Sequence, residues 1–231
     1  MIRLLVSVRS VDEALLAAEG GADFIDLKEP GRGALGGLPV ATIRAVVTAL
    51  RERGADLPVS ATIGDVPMRA LGDIAARVES VGACGVDYVK VGIERDPRAA
   101  EVLAWLAGCG RPIVPVFIAD RGIDPGLVAA ASALRFPGLM ADTADKRAGS
   151  LFDVATLDEL QRFITTVRAA KAMVGIAGAL RVGHAPLLAR LAPDFAGFRT
   201  AVCAGDRTAA LDPQRLRDLA AAMRSAQALP A

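Results

Sequence analysis

Short apolar runs alternate with helical stretches from end to end of the 231-residue chain, and no linker or low-complexity tract interrupts them. Such runs, bounded by turn residues, are typical of buried parallel strands when helices separate them. We predict strands over Ile2–Val8, Asp23–Leu27, Pro58–Thr62, Val86–Val91, Pro112–Ile118, Gly138–Ala141, Ala172–Ala177 and Phe195–Phe198. Eight β/α units predict one α/β domain over residues 1–231, a (β/α)₈ TIM barrel. The alternative is a doubly wound sheet, but its GxGxxG fingerprint is absent after the first strand.

Helix signals fall between these strands. Ser10 and Glu13 have the spacing of a capping box, and a Gly-Gly pair follows as a stop signal. Pro67 suits the first position of the helix after the third strand. The last helix is predicted over Asp212–Gln227.

Composition excludes several functional classes. The net charge is +1, without the basic excess of an electrostatic nucleic-acid binder. No apolar run is as long as a membrane span, and the N-terminal stretch resembles a first strand and not a signal peptide. The three cysteines are far apart and form no CxxC pair, which indicates a reduced, cytoplasmic compartment. We therefore expect neither nucleic-acid nor membrane partners, and the sequence is compatible with a homo-oligomer.

Two residue types are scarce. The single histidine, His184, leaves few ligands for a metal site, so we expect no metal and no cofactor. Four residues are lysine against 23 arginines (27 − 4), and they are Lys28, Lys90, Lys146 and Lys171. A lysine kept where arginine is usual is notable, because only lysine readily loses its proton or forms an imine.

Three of these lysines fall near predicted strand ends, where barrel enzymes carry their chemistry. Lys28 ends the second strand in "FIDLKEP", two residues after Asp26 and on the same face. Lys90 ends the fourth strand, and Asp142 follows the sixth with Lys146 four residues later. Because alternate strands contribute to one interior layer, these side chains should converge on one cavity.

A cavity with several amines suits an anionic carbonyl substrate. One amine could attack the carbonyl, and a neighbouring cation and burial would favour its neutral form. Lys90 could supply that charge to Lys28 or act as an acid or base, while Asp26 and Asp142 could move protons or hold the amines. The alternative interpretation is that Asp26 and Lys28 form a structural ion pair.

A substrate phosphate would bind where barrels usually hold it, after the seventh and eighth strands. Here those segments are "IAGAL", with Gly178, and "FRTAVCAGDR", with Arg199 and Gly205. Backbone N–H groups and an arginine fork both suit a phosphate dianion.

The motifs resemble those of the (5-formylfuran-3-yl)methyl phosphate synthase family, in order and over nearly the whole chain: "FIDLKEPGRGALG", "SATIGDVP", "DYVKVG", "DTADKRAGSLFD", "GIAGAL" and "FRTAVCAGDR". The resemblance implies a (β/α)₈ lyase that condenses two molecules of glyceraldehyde 3-phosphate, with loss of one phosphate and two waters. The product is a furan precursor of methanofuran-type C1 carriers. By the same resemblance Lys28 is the Schiff-base lysine and Lys90 the proton acceptor, with Asp26, Asp142 and Lys146 completing the site.

Other functions compete with this interpretation. Decarboxylase and hexulose-phosphate synthase barrels share Asp-x-Lys at a strand end but need a second Asp three residues after the Lys, where this chain has Gly31. A class I aldolase would differ by releasing no phosphate during turnover. A non-catalytic barrel that binds phosphometabolites would turn over no triose phosphate at all.

Overall fold

Eight parallel strands pair in sequence order and close into a barrel, with β8 returning to β1. The computed structural model describes residues 1–145 and 149–228. The strands are β1 (Arg3–Val8), β2 (Phe24–Leu27), β3 (Val59–Thr62), β4 (Tyr88–Ile93), β5 (Ile113–Ile118), β6 (Gly138–Asp142), β7 (Met173–Ile176) and β8 (Phe195–Phe198). The predicted (β/α)₈ barrel is confirmed, and each predicted strand is found within two residues at either end.

Helices follow the strands and pack their apolar faces against the outside of the barrel. They are α1 (Val11–Glu19), α2 (Val40–Glu52), α3 (Leu71–Gly82), α4 (Ala99–Gly108), α5 (Pro125–Ala133), α6 (Leu151–Val154), α7 (Leu157–Ala169), α8 (Ala185–Leu191) and α9 (Pro213–Ala228). The short α6 had no counterpart in the sequence prediction. Within the described part of the chain, no helix is long and apolar enough to cross a membrane.

One predicted helix start and one half of a predicted capping box need correction. Pro67 does not open α3: it forms a turn in which the Ala70 N–H donates to the Pro67 carbonyl at 2.9 Å, and α3 starts after that turn. Ser10 does cap α1, accepting from the Glu13 N–H at 3.2 Å. The Glu13 carboxylate, however, does not complete the box on Ser10, because it accepts from the Arg9 N–H at 3.0 Å and binds Arg199.

Aspartates at the entrance of three strands bind the backbone of the preceding strand. Asp23 accepts from the Leu4 N–H at 2.6 Å, and Asp87 accepts from the Val59 N–H at 2.7 Å. Asp194 repeats the contact on β7 at 2.8 Å. A carboxylate that accepts a backbone N–H makes a strong, charge-assisted bond, so these contacts fix the strand register at the face opposite the proposed chemistry.

The barrel interior is apolar in its lower part. Leu5, Phe24, Met140 and Phe195 belong to one buried cluster, and the Phe24 and Phe195 rings lie 5.5 Å apart between centroids. Gly175 on β7 makes room for this layer, since a Cβ there would lie 2.0 Å from the Phe195 ring. Because side chains alternate along a strand, the next inward residues stand directly above this apolar floor.

Candidate active site

Asp26 is the centre of a buried polar layer above the apolar floor. The strand register sets Ser7 and Ser60 beside it on the neighbouring strands. The Ser60 hydroxyl donates to Asp26 Oδ1 at 2.7 Å and the Ser7 hydroxyl to Oδ2 at 3.1 Å. Lys90 Nζ donates to Oδ1 at 2.8 Å. The carboxylate is thus hydrogen-bonded on both oxygens.

The charge of Asp26 is held in place by its neighbours. Burial raises the pKa of the carboxyl, but the charges of Lys90 and Lys28 and the hydrogen bonds from Lys90 and Ser60 outweigh burial and lower the pKa from 3.8 to about 2. Asp26 therefore stays ionised at any physiological pH. It acts as a fixed anion between two amines.

Lys28 lies just beyond the end of β2, where its backbone N–H still donates to the Val8 carbonyl at 3.1 Å. Its Nζ lies 3.8 Å from Asp26 Oδ2 and 3.7 Å from Asp142 Oδ2. Both contacts are longer than a normal hydrogen bond, so neither carboxylate holds the amine tightly. The side chain is buried but lines a cavity at the barrel mouth.

Lys90 lies deeper and is held more firmly. Its residue is 3% exposed. Burial lowers the pKa of the Lys90 amine, and the charge of Lys28 acts in the same direction, whereas Asp26 and Asp142 oppose the shift. Such an amine gives up its proton more readily than a solvated lysine, as a proton-transfer group requires.

The structure thus brings together four of the five predicted catalytic side chains, Asp26, Lys28, Lys90 and Asp142. Lys146 lies outside the described residues. The chain just before it is anchored by Asp120, whose carboxylate accepts from the N–H groups of Ala144 at 2.5 Å and Asp145 at 2.8 Å. The catalytic roles of all five residues stay predictions.

The cavity beside Lys28 is walled by the ends of β7 and β8. Gly178, Arg199, Thr200 and Arg207 line it together with Asp142. Gly178 is buried with φ of +114°, and a Cβ there would lie 3.0 Å from the Thr143 side chain. Glycine is therefore required at this wall for both conformation and space.

The other two predicted phosphate residues have different surroundings. Gly205 is exposed and is not among the described residues that line the cavity. Arg199 lines the cavity, but all five of its N–H donors are directed at protein oxygens. Its bonds go to the Arg207 carbonyl at 2.9 Å, the Ser7 carbonyl at 3.0 Å, the Glu13 carboxylate at 2.6 and 3.1 Å, and the Ala209 carbonyl at 2.7 Å.

Sequence reasoning missed four residues around this site. Ser7 was detectable, because it lies two residues after the inward-facing Leu5 and so shares its face. Glu13 was assigned to a helix cap, which concealed its bond to a residue 186 positions away. Asp120 lies in a single 3₁₀ turn and Arg207 in a loop, and in neither does periodicity give the orientation of the side chain. Among the described residues no group of three or more His, Cys, Asp or Glu side chains could hold a metal ion.

The pH dependence of the free energy of unfolding of an Asp26→Asn variant tests whether the buried Asp26 is charged. The folded pKa of about 2 lies below the unfolded value of 3.8, so ionised Asp26 stabilises the fold above pH 3.8, and this contribution is lost as the pH falls toward 2. The free-energy gap between wild type and variant should therefore narrow by about 2 kcal/mol over that window.

Urea unfolding at a series of pH values measures this gap. The exposed Asp56→Asn is the matched control and should follow the wild type throughout. A gap for Asp26→Asn that stays constant down to about pH 2 would contradict the lowered pKa.

Comparison of the sequence with known proteins finds one family that it matches over most of its length. A family model described as 4-HFC-P synthase matches residues 4–220. A Methylorubrum extorquens protein, provisionally named (5-formylfuran-3-yl)methyl phosphate synthase, is 41% identical over 224 residues, covering 96% of this chain and 92% of that protein. The (5-formylfuran-3-yl)methyl phosphate synthase of Methanopyrus kandleri is 36% identical over 242 residues, covering 96% of this chain and 98% of the relative.

Solved structures with low sequence identity share the barrel. Phosphoribosyl anthranilate isomerase from Thermus thermophilus superposes with a TM-score of 0.67 at 18% identity, over 97% of this chain and 99% of the isomerase. 3-Hexulose-6-phosphate synthase from Salmonella typhimurium gives 0.64 at 17% identity, over 97% and 100%. At such identities the likeness shows the fold alone.

Proposed function

Because the chain belongs to the 4-HFC-P synthase family, we propose that it condenses two molecules of glyceraldehyde 3-phosphate into (5-formylfuran-3-yl)methyl phosphate. Two C3 units supply the six carbons of the product. The remaining atoms leave as one phosphate and two waters, so no oxidant or reductant is needed. The product would serve as the furan precursor of a methanofuran-type C1 carrier.

Lys28 is the proposed nucleophile. Its amine lines the cavity, and its contacts with Asp26 and Asp142 are loose at 3.8 and 3.7 Å. A neutral Lys28 would add to the aldehyde of one triose phosphate, and loss of water with uptake of one proton would give an iminium. The iminium acidifies the adjacent C–H, and loss of that proton gives an enamine that can attack a second carbonyl or expel a phosphate from the next carbon.

Lys90 is the proposed proton acceptor for that C–H. The lowered pKa of its amine and its rigid position on Asp26 suit a base that must meet one proton in one place. Asp26 would stabilise the ammonium that Lys90 becomes when it accepts this proton. Asp142 would orient Lys28 from the other side, and Lys146 would complete the site from the loop after β6.

One observation carries the proposal beyond the family match. Lys28 and Lys90 are both buried, and both contact Asp26. The described residues that line the cavity include Lys28 but not Lys90. Asp142 balances the second charge from 3.7 Å, so ion pairing alone gives no reason for one of the two amines to line a cavity, whereas a covalent nucleophile must reach the substrate and its base can be held below it. The arrangement matches the division of labour that imine chemistry demands.

The test is incubation of purified protein with glyceraldehyde 3-phosphate alone, after chelation and without added metal or nucleotide. We expect a furan-aldehyde ultraviolet absorbance and one free phosphate for each furan formed. Mass spectrometry of the product identifies it independently. A heat-denatured sample controls for the spontaneous loss of phosphate from the substrate.

Each other outcome identifies a different activity. Triose consumption without phosphate release would indicate a class I aldolase, and phosphate release without a furan would indicate simple elimination. No turnover of any triose phosphate would contradict catalysis on this substrate. Activity that returns only with a divalent cation would contradict the expectation that no metal is needed.

A further inference from the structure

Arg207 extends over the cavity from the segment after β8. Its side chain is half-buried and lines the cavity together with Lys28, Asp142 and Gly178. Its Nη2 donates to the Gly33 carbonyl at 3.1 Å, in the loop that follows β2. The guanidinium therefore bridges the cavity mouth from the β8 side to the β2 side, next to the proposed nucleophile.

Among the described residues, Arg207 uses few of its hydrogen-bond donors. A guanidinium has five N–H donors. Within the described chain, the bond to Gly33 is the only hydrogen bond that its side chain donates. Burial lowers the pKa of Arg207, with the charge of Asp142 opposing the shift. A half-buried cation with open donors at a cavity wall suits an anion with several oxygens.

The end of β7 offers backbone donors to the same cavity. Gly178 and Ala179 both line the cavity, and both have positive φ, +114° and +44°. No hydrogen bond from either N–H to another described residue is found. A non-glycine residue with φ of +44° is strained, and such strain concentrates at ligand sites. Backbone N–H groups without a protein acceptor beside a cavity are available to bind an anion.

Arg199 contrasts with Arg207 although both line the cavity. Its Nε and Nη2 donate to the carbonyls of Arg207 and Ala209, while its Nη1 reaches β1 through the Ser7 carbonyl. The Glu13 carboxylate fixes its charge. Arg199 thus ties the backbone that carries Arg207 to β1 and α1, and it has no donor left for a ligand.

We propose that the Arg207 side chain binds the substrate phosphate, and that Arg199 is a positioning residue acting through the backbone of Arg207. This inference rests on the proposed function, because it names the phosphate contact of that substrate. The anion would sit between the guanidinium and the N–H groups of Gly178 and Ala179. The substrate carbonyl would then extend toward Lys28 across the same cavity.

Binding of inorganic phosphate tests the first part without turnover. Line broadening of the phosphorus NMR signal should give a Kd about 10- to 100-fold higher for Arg207→Ala, as expected for a lost charged hydrogen-bond partner. The matched control is Arg32→Ala, an exposed arginine of the β2 loop that borders Gly33; its Kd should stay within about 2-fold of wild type. Unchanged binding by Arg207→Ala, or equal weakening by Arg32→Ala, would overturn the assignment.

The direction in which the phosphate affinity changes separates a positioning role for Arg199 from direct binding. If Arg199 bound phosphate itself, Glu13→Gln would free its charge and tighten binding; if it positions Arg207, the same variant should weaken binding or leave it unchanged. In the double variant Arg199→Lys/Arg207→Ala, positioning predicts a Kd no higher than that of Arg207→Ala alone. If the two substitutions weaken binding by independent factors that multiply in the double variant, or if Glu13→Gln binds phosphate more tightly, Arg199 itself contacts the phosphate. Thermal melts confirm that each variant is folded.

Failure of this inference is distinguishable from failure of the proposed function. If wild type forms no furan but phosphate binding still depends on Arg207, the subsite stands and the reaction is wrong. If wild type forms the furan and Arg207→Ala keeps its KM for glyceraldehyde 3-phosphate, the reaction stands and the subsite is wrong.

Discussion

A Lys28→Arg variant is expected to fold and to form no furan aldehyde, with a loss of roughly 10⁴-fold or more in turnover, as when other covalent nucleophiles are removed. Arginine keeps the positive charge that Asp26 and Asp142 require, and a guanidinium suits two flanking carboxylates. It cannot be deprotonated at working pH, however, so it cannot add to a carbonyl. The substitution therefore separates charge from nucleophilicity.

Borohydride trapping identifies the nucleophile directly. Reduction of the iminium converts it to a stable secondary amine, so wild type incubated with glyceraldehyde 3-phosphate should carry the adduct on Lys28 in a mass-mapped digest. Lys171→Arg is the matched control, because Lys171 is exposed after α7 and should tolerate the change. An active Lys28→Arg enzyme, or an adduct on Lys90 or Lys146, would assign the nucleophile to another residue.

The second large effect is expected for Lys90→Met, which keeps a long side chain but removes the amine. Furan formation should fall by about 10²–10⁴-fold, the usual contribution of a positioned proton-transfer group. Lys28 remains next to Asp26 at 3.8 Å, so the buried carboxylate keeps one cationic partner. The trapped adduct should therefore still appear on Lys28.

Hydrogen exchange distinguishes a missing base from general damage. In heavy water, wild type should exchange the proton on the carbon next to the aldehyde for deuterium, and Lys90→Met should lose this exchange while it still forms the imine. Retained exchange at a wild-type rate would remove Lys90 from the proton-transfer step. Loss of both exchange and trapping would indicate a disrupted site, which a thermal melt would reveal.

The layout of the barrel was predictable because it rests on local signals. Apolar runs of strand length gave all eight strands, and the period-two alternation placed Asp26 and Lys28 on one face. The convergence of Lys28, Lys90 and Asp142 needed only one further rule, that alternate strands share an interior layer. These inferences use neighbours in sequence or a fixed topology.

Contacts that depend on the direction of a single side chain outside the strands were not predictable. Glu13 follows Ser10 at capping-box spacing, yet its carboxylate binds Arg199, a partner that only barrel closure brings near. Arg207 is one of 23 arginines and lies between small and polar residues without periodicity. Proline is common at the first position of a helix, so the sequence predicted a helix start at Pro67, but this residue lies in a turn.

The pairing of β8 with β1 has a consequence for synthesis on the ribosome. β1 is made first among the strands, and its open edge stays without its final partner until Phe195–Phe198 has been made. At typical elongation speeds of 5–20 residues per second, this interval lasts about 10 to 40 seconds. During that time an apolar strand edge is available for pairing with other chains. The nascent protein is therefore most exposed to aggregation before its last strand emerges.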